Sequence, residues 1–362
     1  MVGSIPLRHD RKRLLELDAL RGLAAAGVMF FHYFTIFPLT FPSVAAMGQG
    51  VRDVFAFGSY GVLLFFAISG FVISLTLKST RNVVDFAVRR AARLYPVYWA
   101  ALFLTVIVVK SAGITALDVP IGDAIANLTM IHGLFYLLSV DGVYWTLLVE
   151  LCFYGCMATL WASGALRWPE RVAIGWLGVK ILCWLAPDIP WRLQALLVAQ
   201  YIPFFLIGIL CHRIWNGERT WRSQHPYLVA CLMTVAMVDG PGLAVAGTIV
   251  TVIMGAAIGG WARFLQWRPL LWLGSISYAL YLIHDHVGFV IILSLARRGV
   301  APWAAIGIAA IVAIILAALL RHYVERPAER MILGWWKTLP GRFGRSAAKH
   351  YEKEGICHVA PD

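Results

Sequence analysis

The chain has 362 residues, 60% of them hydrophobic and only 14% charged, with a mean hydropathy of +0.75. These values exclude an ordinary soluble domain and define an all-α, polytopic integral membrane protein embedded in a lipid bilayer. The formal net charge of +12 does not indicate a nucleic-acid partner, because the basic residues fall in short clusters between apolar runs, where the positive-inside rule places them.

Residues 1–17 form a basic segment with Arg8, Arg11, Lys12 and Arg13. An A-x-A-like site, Ala24 to Ala26, lies at the start of the first apolar run and not after it, so the run reads as an uncleaved span. That span opens with LDALRGLAAAGVMFFH, Leu17 to His32. From Arg21 to His32 is roughly three turns plus 20°, so the two share one helix face about 16.5 Å apart. A cation sits at one depth and a titratable base at another. Asp18 reads as the cap of this helix.

Ten apolar runs of near-spanning length follow one another: 18–38, 58–77, 95–113, 145–163, 171–186, 196–212, 226–239, 243–261, 271–294 and 302–320. A further patch, Leu128 to Leu138, is too brief to span and suits a re-entrant or interfacial element. If both termini are cytoplasmic, 24 of the 31 Lys and Arg fall on the inner side, and Arg52, Lys110, Arg192, Arg297 and Arg298 on the outer one. This asymmetry supports about ten helices with both ends inside. The chain thus divides into the basic segment 1–17, a membrane domain 18–330 and a basic, partly disordered tail 331–362 with the interfacial residues Trp335 and Trp336. No internal repeat is evident, which weighs against an inverted-repeat transporter.

The six cysteines, Cys152, Cys156, Cys183, Cys211, Cys231 and Cys357, fall mostly inside apolar runs with no C-x-x-C pair, and neither a disulfide framework nor a zinc site is expected. Four positions place ionisable groups inside spans, where burial is costly unless the group faces protein or water: His32, Glu150, the run His284-Asp285-His286, and Lys180. On the assumed span boundaries, His32, His284 and Glu150 all lie about 20–22 Å from the inner edge of the core. His32 reads either as a base or nucleophile or as a histidine bonded between helices. Glu150 reads as the residue orienting His32 or as an ordinary interhelical partner. Residues i and i+2 of one helix point about 200° apart, so His284 and His286 are poorly placed to share a metal ion. Lys180 is expected to snorkel or pair. Arg89, Arg90 and Arg93, and with them Arg21, read as a positive-inside cluster or as a phosphate clamp.

Six segments in order resemble acyltransferase family 3 of integral membrane proteins. They are LDALRGLAAAGVMFFHYF with its arginine, ten residues and a histidine; GVLLFFAISGFVIS; FAVRRAARLYPVYW with R-x-x-R at Arg90 and Arg93; YWTLLVELCFY with Glu150; LGSISYALYLIH ending at His284; and VERP from Val324 to Pro327. Leu63 and Leu151 stand where many members have acidic residues. The resemblance implies about ten spans and transfer of an acyl group, usually acetyl from acetyl-CoA as co-substrate, to a hydroxyl of a carbohydrate or glycan. No appended hydrolase-like domain is expected, and no permanently bound cofactor.

In the scheme this implies, Arg90 and Arg93, with Arg89 and Arg21, hold the phosphates of acyl-CoA, and its pantetheine arm runs along the first helix. His32 is the general base or acyl relay, Glu150 supports it, and His284, Tyr144 and Trp145 line the acceptor pocket. A bacterial inner membrane is the expected location. The alternative is a proton-coupled exporter of a glycan or lipid-linked sugar, in which His32 and Glu150 relay protons.

Overall fold

The computed structural model describes residues 14–42, 44 and 48–339, and among them it contains helices and turns but no strand. The basic stretch up to Arg13 and the tail from residue 340, including Cys357, lie outside the described residues.

Helix α1 (Leu15–Phe31) runs through a π-helical turn (His32–Ile36) into a short last turn, Phe37–Thr40. It begins at Leu15 without a side-chain cap, so Asp18 is not the cap expected from the sequence. Asp18 stands in the first turn, where a carboxylate complements the helix dipole. A short amphipathic helix α2 (Gln49–Ala56) leads into α3 (Gly61–Lys78). Helix α4 (Val83–Ala112) is capped by Asn82, whose side chain accepts from the Asp85 amide, and is closed by Gly113 at φ 63°. There follow α5 (Trp145–Ala162), α6 (Pro169–Leu185), α7 (Ile202–Trp215), α8 (Trp221–Val238) and α9 (Pro241–Gly259). The chain continues with α10 (Arg268–Ile283), α11 (Asp285–Ala296), α12 (Pro302–Leu320) and, beyond a second π turn, α13 (Arg326–Thr338).

Helices occur at all ten apolar runs, but among the described residues six are able to cross a membrane by length and composition, with the pair α10–α11 making a seventh. Helices α6 and α7 are short at 17 and 14 residues, and α8 opens with Arg222, Gln224 and His225. The ninth run is not the continuous helix assumed for 271–294. It bends by 73° between Ile283 and Asp285, so the opposed-faces argument for His284 and His286 does not apply. The patch Leu128 to Leu138 forms turns and a 3-10 segment, His132–Phe135, organised by the buried Asn127, whose amide donates to Leu138 O at 2.8 Å.

Helix backbones come into contact at glycines, among them where α1 crosses α10 and where α3 crosses α7. A Cβ on Gly22 of α1 would collide with the backbone of Gly274 of α10, and one on Gly274 with the carbonyl of Asp18. Likewise Gly70 of α3 lies on the backbone of Phe205, and Gly208 of α7 on that of Ala67. Small residues at such crossings let membrane helices gain close van der Waals contact. Gly22 faces Gly274 and His32 faces His284, and His32 and His284 are 252 positions apart in the chain, as are the two glycines. This constant offset means that α1 and α10 run parallel and in register. Lys180 is buried and paired with Asp239 at 3.0 Å while donating to Gln200 O at 2.9 Å.

Candidate active site

The register of α1 and α10 brings two imidazoles together. His284 Nε2 lies 3.2 Å from His32 Nδ1, with the rings edge-on at 66°. His284 is fully buried, and its Nδ1 lies 2.9 Å from Tyr281 O and 3.1 Å from Leu280 O. Both neighbours are acceptors, so the proton belongs on Nδ1 and Nε2 is bare. His32 Nδ1 must then donate, sharing its proton between His284 Nε2 and Val28 O at 2.8 Å. This leaves the lone pair of His32 on Nε2, the nitrogen available to take a proton. Tyr33, also fully buried, fixes the arrangement by donating from its hydroxyl to His284 O at 2.8 Å. His32 also opens the π turn of the first span, a local unwinding frequent at functional sites.

A cavity lies along the same helices towards the ends where α1 and α4 begin. Its walls include Arg21, Arg90, Arg93, Glu150, Tyr154 and Ser69. Three guanidinium groups therefore face one space, with Glu150 as a carboxylate among them. Arg90 hydrogen-bonds Thr76, and its guanidinium carbon lies 5.4 Å from the Tyr154 ring centre. At its other end the cavity is bounded by Thr146 and Tyr281, whose hydroxyls are 2.8 Å apart, and the Tyr281 ring is 5.7 Å from that of His284. The cavity thus runs from three cations to within one aromatic ring of the histidine pair.

Several sequence-based placements change. Glu150 does not bond to His32: its carboxylate accepts from Ser69 Oγ at 3.1 Å and from the Tyr154 hydroxyl. The hydrogen bond between Thr146 and Tyr281 fixes α5 along its axis, so Glu150, four residues further on, lies about 6 Å beyond Tyr281 toward the arginines and not level with His284 as the depth count assumed. Arg89 is not a wall of the cavity. Its Nε pairs with Asp85 at 3.1 Å, and Asp85 also accepts from Trp336 Nε1 at 2.9 Å. Tyr144, Trp145 and His284 are not among the walls of this cavity. Tyr144 is wholly buried against Tyr98 at 5.0 Å, whereas Trp145 is 42% exposed and lies 5.6 Å from Tyr201.

One residue near the histidines escaped the sequence reading. Asp141, in the turn before α5, is fully buried and accepts from the His286 amide at 3.2 Å. It lies outside every apolar run, so a search for charges inside spans passes over it.

Residues 14–322 match the family model described as "Acyltransferase domain", and the chain belongs to that family. It is an all-α, multi-pass membrane acyltransferase, in agreement with the resemblance read from its six segments. Among curated proteins it is similar to "Acyltransferase MdmB" of Streptomyces mycarofaciens, at 25% identity over 88% of this chain and 92% of the relative. It is also similar to "Nodulation protein 10" of Rhizobium leguminosarum bv. viciae, at 26% identity over 89% of this chain and 95% of that one. A third relative, "Putative peptidoglycan O-acetyltransferase YrhL" of Bacillus subtilis (strain 168), is 25% identical over 86% of this chain, which spans 54% of its length. No solved structure matches the chain.

Proposed function

We propose that the protein transfers an acyl group, acetyl in the first instance, from acyl-CoA to a hydroxyl of a carbohydrate or glycan in a bacterial inner membrane. The observation that carries this reading is the single cavity with Arg21, Arg90 and Arg93 at one end and the His32–His284 pair beside the other. Guanidinium groups make bidentate bonds to phosphate, and the Arg21 to His32 spacing of about 16.5 Å along one helix suits a donor with phosphates at one end and a thioester at the other. The carbohydrate acceptor draws support from the printed name of the Bacillus subtilis relative. The family points to acyl transfer and not to export of a glycan.

In this mechanism His32 Nε2 takes the proton of the acceptor hydroxyl. The oxygen attacks the thioester carbonyl, the C–S bond breaks, and the thiolate of CoA leaves with the proton that His32 returns. His284 holds the His32 tautomer that makes Nε2 the base. Glu150 holds Tyr154 and Ser69 at the cavity wall and offsets part of the positive charge, so its role lies with the donor and not with His32. The test supplies radiolabelled acetyl-CoA to membrane vesicles from cells with and without the protein. The expected result is label in an alkali-labile glycan ester. Label that stays in acetyl-CoA would contradict it.

A further inference from the structure

Asp141 is built into its position. Val140 N donates to Asn127 Oδ1 at 3.1 Å, Ser139 Oγ donates to Asp141 O at 2.7 Å, and Val143 N donates to Asp141 Oδ1 at 3.2 Å. The other carboxylate oxygen accepts from His286 N at 3.2 Å, in the break beside His284. Asp141 therefore caps the first turn of α11 from another segment, a structural use in its own right. Through the His286 amide it stands at the break that places His284 against His32, whereas Glu150 is bonded to Ser69 and Tyr154.

The ionisable groups around His32 are His284 from α10, Asp285 and His286 from α11, Asp141 from the turn before α5 and Tyr33 on its own span. Helix α2, which carries Arg52 and Asp53, meets the π turn opened by His32 where Thr35 Oγ1 donates to Arg52 O at 2.9 Å. Asp285 is buried against Gly142, its Oδ1 has no hydrogen-bond partner among the described residues, and it interacts with Asp141. Two carboxylates in one buried site cannot both ionise freely. Asp141 accepts two backbone N–H bonds, whereas Asp285 accepts one, from Gly142, and its Oδ1 has no partner among the described residues, an asymmetry that favours the charge on Asp141.

We propose that Asp141 is the positioning carboxylate of the histidine pair: it fixes the break that presents His284 to His32 and supplies the negative charge that favours the His32 imidazolium. The inference rests on His32 being the base. In Asp141→Asn the asparagine oxygen still accepts from His286 N, so the cap of α11 is kept while the charge and the bond from Val143 N are lost.

The experiment measures kcat, KM for acetyl-CoA and the pH–rate profile in vesicles carrying wild type, Asp141→Asn, Asp141→Glu or His32→Ala. In Asp141→Asn, kcat should fall about 100-fold with KM changed less than about twofold. Its acid limb should move to lower pH, because an imidazolium without its neighbouring charge releases its proton more easily. Asp141→Glu keeps the charge, so its acid limb should stay near that of wild type and kcat should fall less. Wild-type kcat and an unmoved acid limb in Asp141→Asn, with His32→Ala inactive, would reduce Asp141 to a cap and overturn this inference alone. An equal loss in Asp141→Glu and Asp141→Asn would assign the effect to cap geometry and overturn it too. Activity in His32→Ala would overturn the base reading and this inference together.

Discussion

Two helix pairs in this bundle are closed by the same device and used differently. Where α1 meets α10, Gly22 and Gly274 bring the backbones together, and the register so fixed carries Arg21, His32, Ser277 and His284. Where α3 meets α7, Gly70 and Gly208 do the same, but rings fill the contact: Phe66 lies 4.8 Å from Phe205, and Phe71 meets His212 edge-on at 5.2 Å. Each pair buries a histidine, His284 at 0% and His212 at 1% exposure. His284 turns Nε2 to a second imidazole, whereas His212 Nε2 has no hydrogen-bond partner among the described residues. Burial of a histidine is therefore no sign of chemistry in itself. A fixed tautomer facing another titratable group is.

The comparison is broken most severely at His284. His284→Ala should lower kcat by about 100-fold or more, since His32 loses the acceptor that sets its tautomer, while His212→Phe should leave kcat within about twofold and thermal stability unchanged or raised, because it removes an unsatisfied buried polar group. Steady-state rates in vesicles and a melting scan of purified protein check both. A smaller effect is expected at the cations. Arg90→Ala or Arg93→Ala should raise KM for acetyl-CoA by about 10- to 100-fold with little change in kcat, the loss of a charge-assisted hydrogen bond. Arg89→Ala should change KM by less than about threefold, because that guanidinium is engaged by Asp85.

The smallest effect on rate is expected far from the site. Lys180→Met should leave kcat unchanged and lower the melting temperature by leaving Asp239 without its partner, and adding Asp239→Leu should recover most of the loss. A fall in kcat in the double variant would link that half of the bundle to catalysis.

Local geometry made part of the site legible in advance. One helix face joined Arg21 to His32, and the resemblance to the family picked out Arg90 and Arg93; the fold gathers these three arginines in one cavity. The depth estimate that put His32 level with His284 holds because both helices start at the same end and run parallel. The same estimate misplaced Glu150, because the axial position of α5 is set by a long-range bond, Thr146 to Tyr281, that no local pattern encodes. Arg89 lies next to Arg90 in sequence, yet about 100° around the helix from it. The break at His284 has no glycine or proline to announce it, and Asp141, before a glycine, reads locally as turn chemistry.

The central claim, that His32 is the base that takes the proton of the acceptor hydroxyl, is tested most directly with His32→Ala. Radiolabelled acetyl-CoA is supplied to vesicles carrying this variant or wild type, with donor binding measured on the same preparations. The account predicts that donor binding stays within about threefold of wild type while labelled glycan ester falls by about 1,000-fold or more. Wild-type levels of labelled ester from His32→Ala would contradict it.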